Sequence, residues 1–408
     1  MQARQLQKSG TDPLGRYYTS NIVGRTLVCK MNLESPKIIM DLGVGDGALS
    51  LEAAKLWSAA RFVTVDIDND IKHRNSIVNN YHHTHDVLSS QLHTQIGLAL
   101  ESVDGAICNP PYIRPSWQND FAEILEDAGL SGAFSSIHDV SADILFIAQN
   151  LRFLRPSGRL GLILPDGVIA GQKYTQLRKI LLTQHKIERV IELPRRIFRK
   201  TDAKAHIVIL TKKEKSDEPV IIERMGSDGS LSSPLYIPIS TAIRRLDYSY
   251  LESQQLVNST TRFLLGDVCN VLSRGQLSSV DVRGSTVKIF HSTDFPPITD
   301  NLCPAVPKIF LISKAISTTL NTVIAQAGDI LMCRVGRNLE QKICYVPKGN
   351  VALSDCVYKL QVKKECRQAV MDYLCGDTGR SRLNALAHGV GAKYLSKVDL
   401  LNFMVQSD

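Results

Sequence analysis

Ile38-Ile39-Met40-Asp41-Leu42-Gly43-Val44-Gly45-Asp46-Gly47 is a short apolar run passing into a glycine turn, and Ala48–Leu56 continues it with a helical pattern. A buried strand, a glycine turn and a helix start together frame a nucleotide-type ligand site. Glycine lets backbone amides approach a ligand that a Cβ would block, and a helix N-terminus leaves N–H groups unpaired. One such turn is a weak signal, because many turns match it. Support comes downstream, where Phe62-Val63-Thr64-Val65 forms a second apolar strand ending at Asp66. In a doubly wound sheet an acid about twenty residues past the glycines can accept hydrogen bonds from ribose hydroxyls. A simple strand-end cap is the plainer reading of Asp66, and Asp68 competes for the role.

Val103-Asp104-Gly105-Ala106-Ile107-Cys108 reads as a further strand, and it delivers Asn109-Pro110-Pro111-Tyr112 at its carboxyl end. Ligands of such sheets bind at the carboxyl ends of strands. The residue types suit an exocyclic amine, which is a poor nucleophile while conjugated into its ring. The Asn109 side-chain carbonyl and the Pro110 backbone carbonyl can accept its hydrogens and draw the lone pair out of conjugation. Pro110 has no N–H, so its own nitrogen cannot compete as a donor. The Tyr112 ring can stack on a base held there. A turn-forming Asn-Pro-Pro is the alternative, and the position at a strand end after the glycine loop argues against it.

In this order the two stretches resemble the amino-methyltransferases that use S-adenosylmethionine. Residues 1–240 resemble the gamma-class DNA adenine-N6 methyltransferases. The likeness continues through Leu154-Arg155-Pro156-Ser157-Gly158-Arg159-Leu160-Gly161-Leu162-Ile163-Leu164-Pro165 and a final strand, His206–Leu210. It implies an α/β, Rossmann-like fold whose seven-stranded sheet is mostly parallel with the last strand antiparallel. S-adenosylmethionine is the implied cofactor. The resemblance assigns Thr19, in Gly15-Arg16-Tyr17-Tyr18-Thr19, to the methionine end. It assigns Asp41, Gly43, Gly45, Asp66 and Asn109 to the cofactor, and Asp86 to its adenine. Asn109, Pro110, Pro111 and Tyr112 are the implied catalytic tetrad. Phe198 matches an aromatic that packs against a flipped adenine, with an ordinary core phenylalanine as the other reading.

Residues 241–260 read as a linker. From 261 to 408, Leu265-Gly266-Asp267-Val268, Ala327-Gly328-Asp329-Ile330, Leu353-Ser354-Asp355 and Leu395–Leu400 recur in an order similar to the DNA target recognition domain of type I restriction specificity subunits. Each alone is only a turn signal. The chain ends without the spacer helix of those subunits, so a monomer is expected. No nuclease sequence is visible, which makes a separately encoded restriction nuclease the candidate companion.

A chain of 408 residues suits two or three domains. Its apolar content, 44%, can fill a core, and no apolar run reaches the ~18 residues of a membrane span. The start lacks the apolar stretch of a secretory signal. Nine cysteines, odd in number and without a CxxC pair, suggest reduced thiols in a cytosol rather than disulfides or a zinc site; the family resemblance implies a bacterial or archaeal cytoplasm. His82, His83 and His85 read as a loop. The net charge of +8 is uneven, with ten Lys or Arg between Lys173 and Lys204 against Glu188, Glu192 and Asp202. After a methyltransferase core, Lys173, Arg195, Arg196, Arg199 and Lys200 are the expected phosphate contacts of double-stranded DNA.

The sequence therefore leads to a site-specific DNA adenine-N6 methyltransferase, the modification component of a restriction-modification or phage-defence system. Glutamine-N5 methyltransferases of release factors and some ribosomal RNA enzymes share the tetrad and remain alternatives. A non-catalytic DNA-binding specificity subunit is a third, but it predicts damage in a motif, and none is visible.

Overall fold

β1 (Ile38–Leu42) lies inside a sheet of nine strands. The others are β2 (Arg61–Asp66), β3 (Asn80–Thr84), β4 (Val103–Cys108), β5 (Leu154–Pro165), β6 (Lys186–Glu192), β7 (Ala205–Thr211), β8 (Val220–Arg224) and β9 (Leu235–Ile237). Their order is β3-β2-β1-β4-β5-β7-β6-β8-β9. β7 runs antiparallel to both neighbours and β9 antiparallel to β8, while the remaining pairs are parallel. In this computed structural model residues 19–68, 77, 79–195, 197, 204–255, 261–389 and 392–407 are described. The chain divides into two units, Met1–Leu251 and Glu252–Asp408.

Parallel strands need both faces covered, and the side chains show it. Met40, Leu42, Ala106 and Cys108 join one apolar cluster with Ile144, Leu145 and Ile147 of α5 (Ala142–Phe153). Ile39 and Ile107, the alternate positions, join the other with Val23 and Leu27 of α1 (Asn21–Met31) and Ala53 of α2 (Ala48–Leu56). α1 and the residues just after it lie close because two strand residues have no side chain. A Cβ at Gly105 would meet Leu33 Cδ1 at 2.4 Å, and one at Gly161 would meet Leu27 Cδ2 at 2.6 Å.

The strand order turns around between β1 and β4, which makes the crevice above their carboxyl ends the ligand position of such sheets. The seven strands β1–β7 carry the expected arrangement, and β8 and β9 extend it by two. One other expectation differs. His82 and His83 lie in β3 rather than a loop, with Thr64 Oγ1 3.0 Å from His82 Nδ1. The stretch 113–140 contains a helix, α4 (Asn119–Asp127). Phe121, Ile124, Leu125 and Ala128 recur at helical spacing and bury themselves among α5 residues. Between β3 and α4 sits a short α3 (Leu92–Gln95).

The linker boundary also shifts. After α6 (Asp166–Ala170), α7 (Thr175–Thr183) carries Arg178, 1% exposed. Its guanidinium donates to the carbonyls of Val168 (2.8 Å), Gly171 (2.9 Å), Ile243 (3.0 Å) and Arg244 (2.7 Å). Past α8 (Ile239–Ala242), Leu246, Tyr248 and Leu251 enter the core, the last two on α9 (Tyr248–Gln255). Residues 241–251 therefore belong to the first unit and not to a linker, because their apolar and carbonyl groups find partners there.

The second unit centres on an antiparallel sheet ordered Cys269–Arg274, Val357–Val362, Ile330–Cys333, Ile343–Tyr345. Phe290, Leu331, Val351 and Leu353 fill its core. Gly328, at φ +91°, turns the chain into Ile330–Cys333, while Gly266-Asp267 lies in a helical turn, Leu265–Val268. A ribbon of Val335–Gly336 with Lys393–Tyr394 completes the part used below.

Candidate active site

The turn after β1 is built on three left-handed glycines, Gly43 (φ +73°), Gly45 (φ +54°) and Gly47 (φ +78°). Gly43 and Val44 donate their N–H groups to the Val65 carbonyl at 2.8 and 3.2 Å, which ties the turn to β2. A Cβ at Gly43 would strike Phe146 Cε1 at 2.9 Å. One at Gly45 would meet nothing within 4 Å, because that side faces a cavity.

The cavity has a volume of about 230 Å³. Thr19, Asp41, Gly43, Gly45, Asp66, Asp86 and Asn109 all line it, so the structure brings together every residue expected to hold the cofactor. Asp68, the rival of Asp66, does not line it; its N–H donates to Asp66 Oδ1 at 3.0 Å. Asp66 Oδ2 accepts from Gly45 N at 2.9 Å, so this carboxylate shapes the glycine turn as well as facing the cavity. Asp86 Oδ1 accepts from Leu88 N at 2.8 Å.

Asp41 is 1% exposed and receives the Ser50 hydroxyl at 2.6 Å. Burial, with Asp66 and Asp46 nearby, raises its pKa to about 7 despite that hydrogen bond. A proton-holding carboxyl that is readily ionised therefore lines the wall at the glycine turn.

At the end of β4, Asn109 Nδ2 donates to Thr19 Oγ1 at 3.1 Å. Asn109 and Pro111 line the cavity. The Tyr112 hydroxyl donates to the Ile163 carbonyl of β5 at 3.2 Å, which fixes that ring beside the tetrad. Cys108 is buried, donates to the Leu42 carbonyl at 3.2 Å, and has its thiol pKa pushed well up by burial. It is a packed thiol.

Sequence reasoning missed part of the wall. Ile67, Ile113, Pro115, Gln118, Phe121 and Phe146 also line the cavity. Ile67 is 55% exposed directly after Asp66, a place where an apolar side chain can cover a ring system. The signal for Phe121 was its helical spacing with Ile124 and Leu125. Phe146 carried none beyond an ordinary helix face.

Part of the basic segment is engaged within the protein. Lys204, half-buried, lies among Asp166 (3.3 Å), Glu192 (3.1 Å) and Asp247 (3.7 Å). Burial alone would push the Asp166 pKa up, but Lys204, His206 and Arg245 hold it well below the usual carboxylate range. Lys186 pairs with Glu214 and Glu218, Arg189 with Glu223, and Arg178 with carbonyls. Lys173 and Arg195 are exposed. Phe198, Arg196, Arg199 and Lys200 lie outside the described residues, as do residues 15–18.

A family described as N-6 DNA Methylase matches residues 3–230. The Type I restriction enzyme MpnII methylase subunit of Mycoplasma pneumoniae is 23% identical over 243 residues, 54% of this chain and 44% of that protein. A tRNA1(Val) (adenine(37)-N6)-methyltransferase of Vibrio vulnificus is 30% identical over 144 residues, 34% of this chain and 54% of that protein. The chain thus spans about half the length of these relatives, 44% and 54%. Among solved structures, the type IIG restriction endonuclease BpuSI has a similar fold, with TM-score 0.51 and 13% identity over 98% of this chain and 59% of that one.

Proposed function

The chain belongs to the N-6 DNA methylase family, and from that premise we propose that it transfers a methyl group from S-adenosylmethionine to the N6 amine of adenine in double-stranded DNA, as the modification component of a restriction-modification system. The observation that carries this reading is the cavity shared by the glycine turn, Asp66 and Asn109. The open side of Gly45, where a Cβ would stand in the cavity, fits a ligand lying against the turn. Asp66 suits the ribose, Ile67 and Asp86 the adenine ring and its amine, and Thr19 and Asp41 the cationic end.

When bound, S-adenosylmethionine supplies an electrophilic methyl group on a sulfonium. The protein's own residues prepare the nucleophile. With Nδ2 held by Thr19, the Asn109 carbonyl is turned toward the amine as an acceptor. The Pro110 carbonyl is the second acceptor. Together they favour a tetrahedral nitrogen with its lone pair free, a preorganised electrostatic contribution. The amine attacks while neutral and loses its proton afterward, so no base acts before transfer. Adenine must leave the duplex to reach this site, which costs a few kcal/mol. Tyr112, stacking on the base, offsets part of that, about 1–3 kcal/mol.

The C-terminal unit is assigned the reading of sequence, a role supported by the order of its Gly-Asp turns and the whole-chain fold likeness. Lys173 and Arg195 are assigned to phosphates, and a separate nuclease subunit to cleavage. RNA is the second reading, favoured by the likeness to the tRNA methyltransferase.

The test is methyl transfer from labelled cofactor to duplex DNA, tRNA, ribosomal RNA and release factor, read by mass analysis. N6-methyladenine in DNA is expected, and its loss in Asn109→Ala with cofactor binding retained. Methylated RNA or glutamine alone would overturn the DNA reading.

A further inference from the structure

We infer that one end of the C-terminal sheet, carrying the ribbon of residues 335–336 and 393–394, enters the major groove of the DNA, and that Arg337 there determines which bases are read; this rests on the DNA reading above. Antiparallel register brings four chain ends to that edge. Arg274 lies opposite Tyr358, Cys333 opposite Val357, and Met332 opposite Ile343. Arg274, Arg334 and Asp399 lie near Tyr358, Lys342 and Lys393 lie beside Gly336, and Arg337 follows it on the turn.

The cluster is built rather than incidental. The Arg334 carbonyl accepts from Leu395 N at 2.9 Å, and its Nε donates to the Asp355 carbonyl at 2.7 Å. The Tyr358 hydroxyl donates to the Leu395 carbonyl at 3.1 Å. Lys342 Nζ lies 3.7 Å from where a Gly336 Cβ would be. Asp399 is engaged by His388 Nε2 at 2.7 Å and by the Ser396 hydroxyl at 2.5 Å, while Arg337 is exposed.

Two side chains stand out on this surface. Tyr394 is 39% exposed and stacks on the His388 ring, with centroids 5.1 Å apart. His388 is 3% exposed, so the tyrosine rests on an immobile support. Arg337 is exposed on the turn between Gly336 and the left-handed Asn338 (φ +51°). A two-stranded ribbon is an element the major groove admits, and an arginine fork pairs with guanine O6 and N7. Phosphates are the natural partners of the lysines around it.

The test uses the full chain with S-adenosylmethionine and sequencing of methylated adenines in genomic DNA. Arg337→Ala and Arg337→Lys are then compared with wild type on the modified sequence and on variants changed at single bases. Both should lose preference about ten- to hundredfold at one position. Arg337→Lys should keep the salt dependence of binding, because it keeps the charge. Thermal unfolding identical to wild type shows that the exposed variant folds. If wild type methylates a defined sequence and both variants keep its full preference, the inference is overturned. If wild type methylates no DNA, the reading beneath it falls as well, and that result is separate.

Discussion

Thr19 and Asn109, 90 positions apart in sequence, meet through a hydrogen bond of 3.1 Å from Nδ2 to Oγ1. That bond fixes which end of the amide is left for the cavity, where the proposed mechanism needs an acceptor. Without it the group can rotate by half a turn and present N–H where an acceptor is needed.

Thr19→Val should therefore lower the single-turnover methylation rate by about tenfold, as expected for one hydrogen bond of about 1–1.5 kcal/mol. Cofactor affinity should change less than the rate. A rate equal to wild type would remove the orienting role from Thr19.

Asp66→Ala should weaken cofactor binding by about tenfold or more, from a charged acceptor worth about 1.5–3 kcal/mol. The effect would have two sources, the proposed ribose contact and the lost support of Gly45 N. Calorimetric titration with S-adenosylhomocysteine checks it. Asp68→Ala should leave the affinity within about twofold of wild type, since Asp68 does not line the cavity.

Asp41 gives a pH dependence. Its pKa rises from 3.8 in the unfolded chain to about 7 in the folded protein, chiefly through burial. The folded state then holds a proton that the unfolded state has lost. Its contribution to stability is fully present below pH 3.8 and is lost as pH rises through about 7. Denaturant midpoints of wild type minus Asp41→Asn should fall as pH rises from about 4 to about 7 and level off above that. A flat difference would mean that Asp41 ionises normally. Cofactor affinity should rise as pH passes about 7, because an ionised Asp41 attracts a cationic ligand.

Arg178→Met should unfold the first unit at lower temperature. Carbonyls of Val168, Gly171, Ile243 and Arg244 would lose their donor, and a buried unsatisfied group costs about 1–3 kcal/mol. A drop of about 10 °C in Tm is expected for a unit of this size. Arg178→Lys should recover little, because an ammonium cannot reach carbonyls spread around a planar fork. A Tm unchanged in Arg178→Met would show that water replaces the guanidinium.

The glycine turn and the Asn-Pro-Pro-Tyr tetrad were legible because their chemistry is local. Left-handed backbone selects Gly43 and Gly45, and a donor-free peptide nitrogen selects Pro110, wherever the rest of the chain lies. The far wall of the cavity was not legible. Phe146 reaches Gly43 only because α5 crosses beneath the turn, a long-range fact with no mark in its own neighbourhood. Ile67 was hidden by an ordinary apolar residue type. Within the basic segment Arg178, Arg189 and Lys204 are spent on carbonyls and carboxylates inside the protein, which summed charge could not show. Residues 241–251 read as polar connection, yet Leu246 and Leu251 are buried.

Gly161, in the sheet, acts as a length standard for the cavity. α1 rests on it through Leu27 and Met31, and Thr19 leads into α1 while Asn109 follows β4. A methyl group added at this glycine would press on the helix like a shim and shift Thr19 relative to Asn109. Such a change would look in an assay like damage to an active-site residue, although it touches none. Screens that sort variants by activity alone would then place catalytic importance on a position whose contribution is thickness.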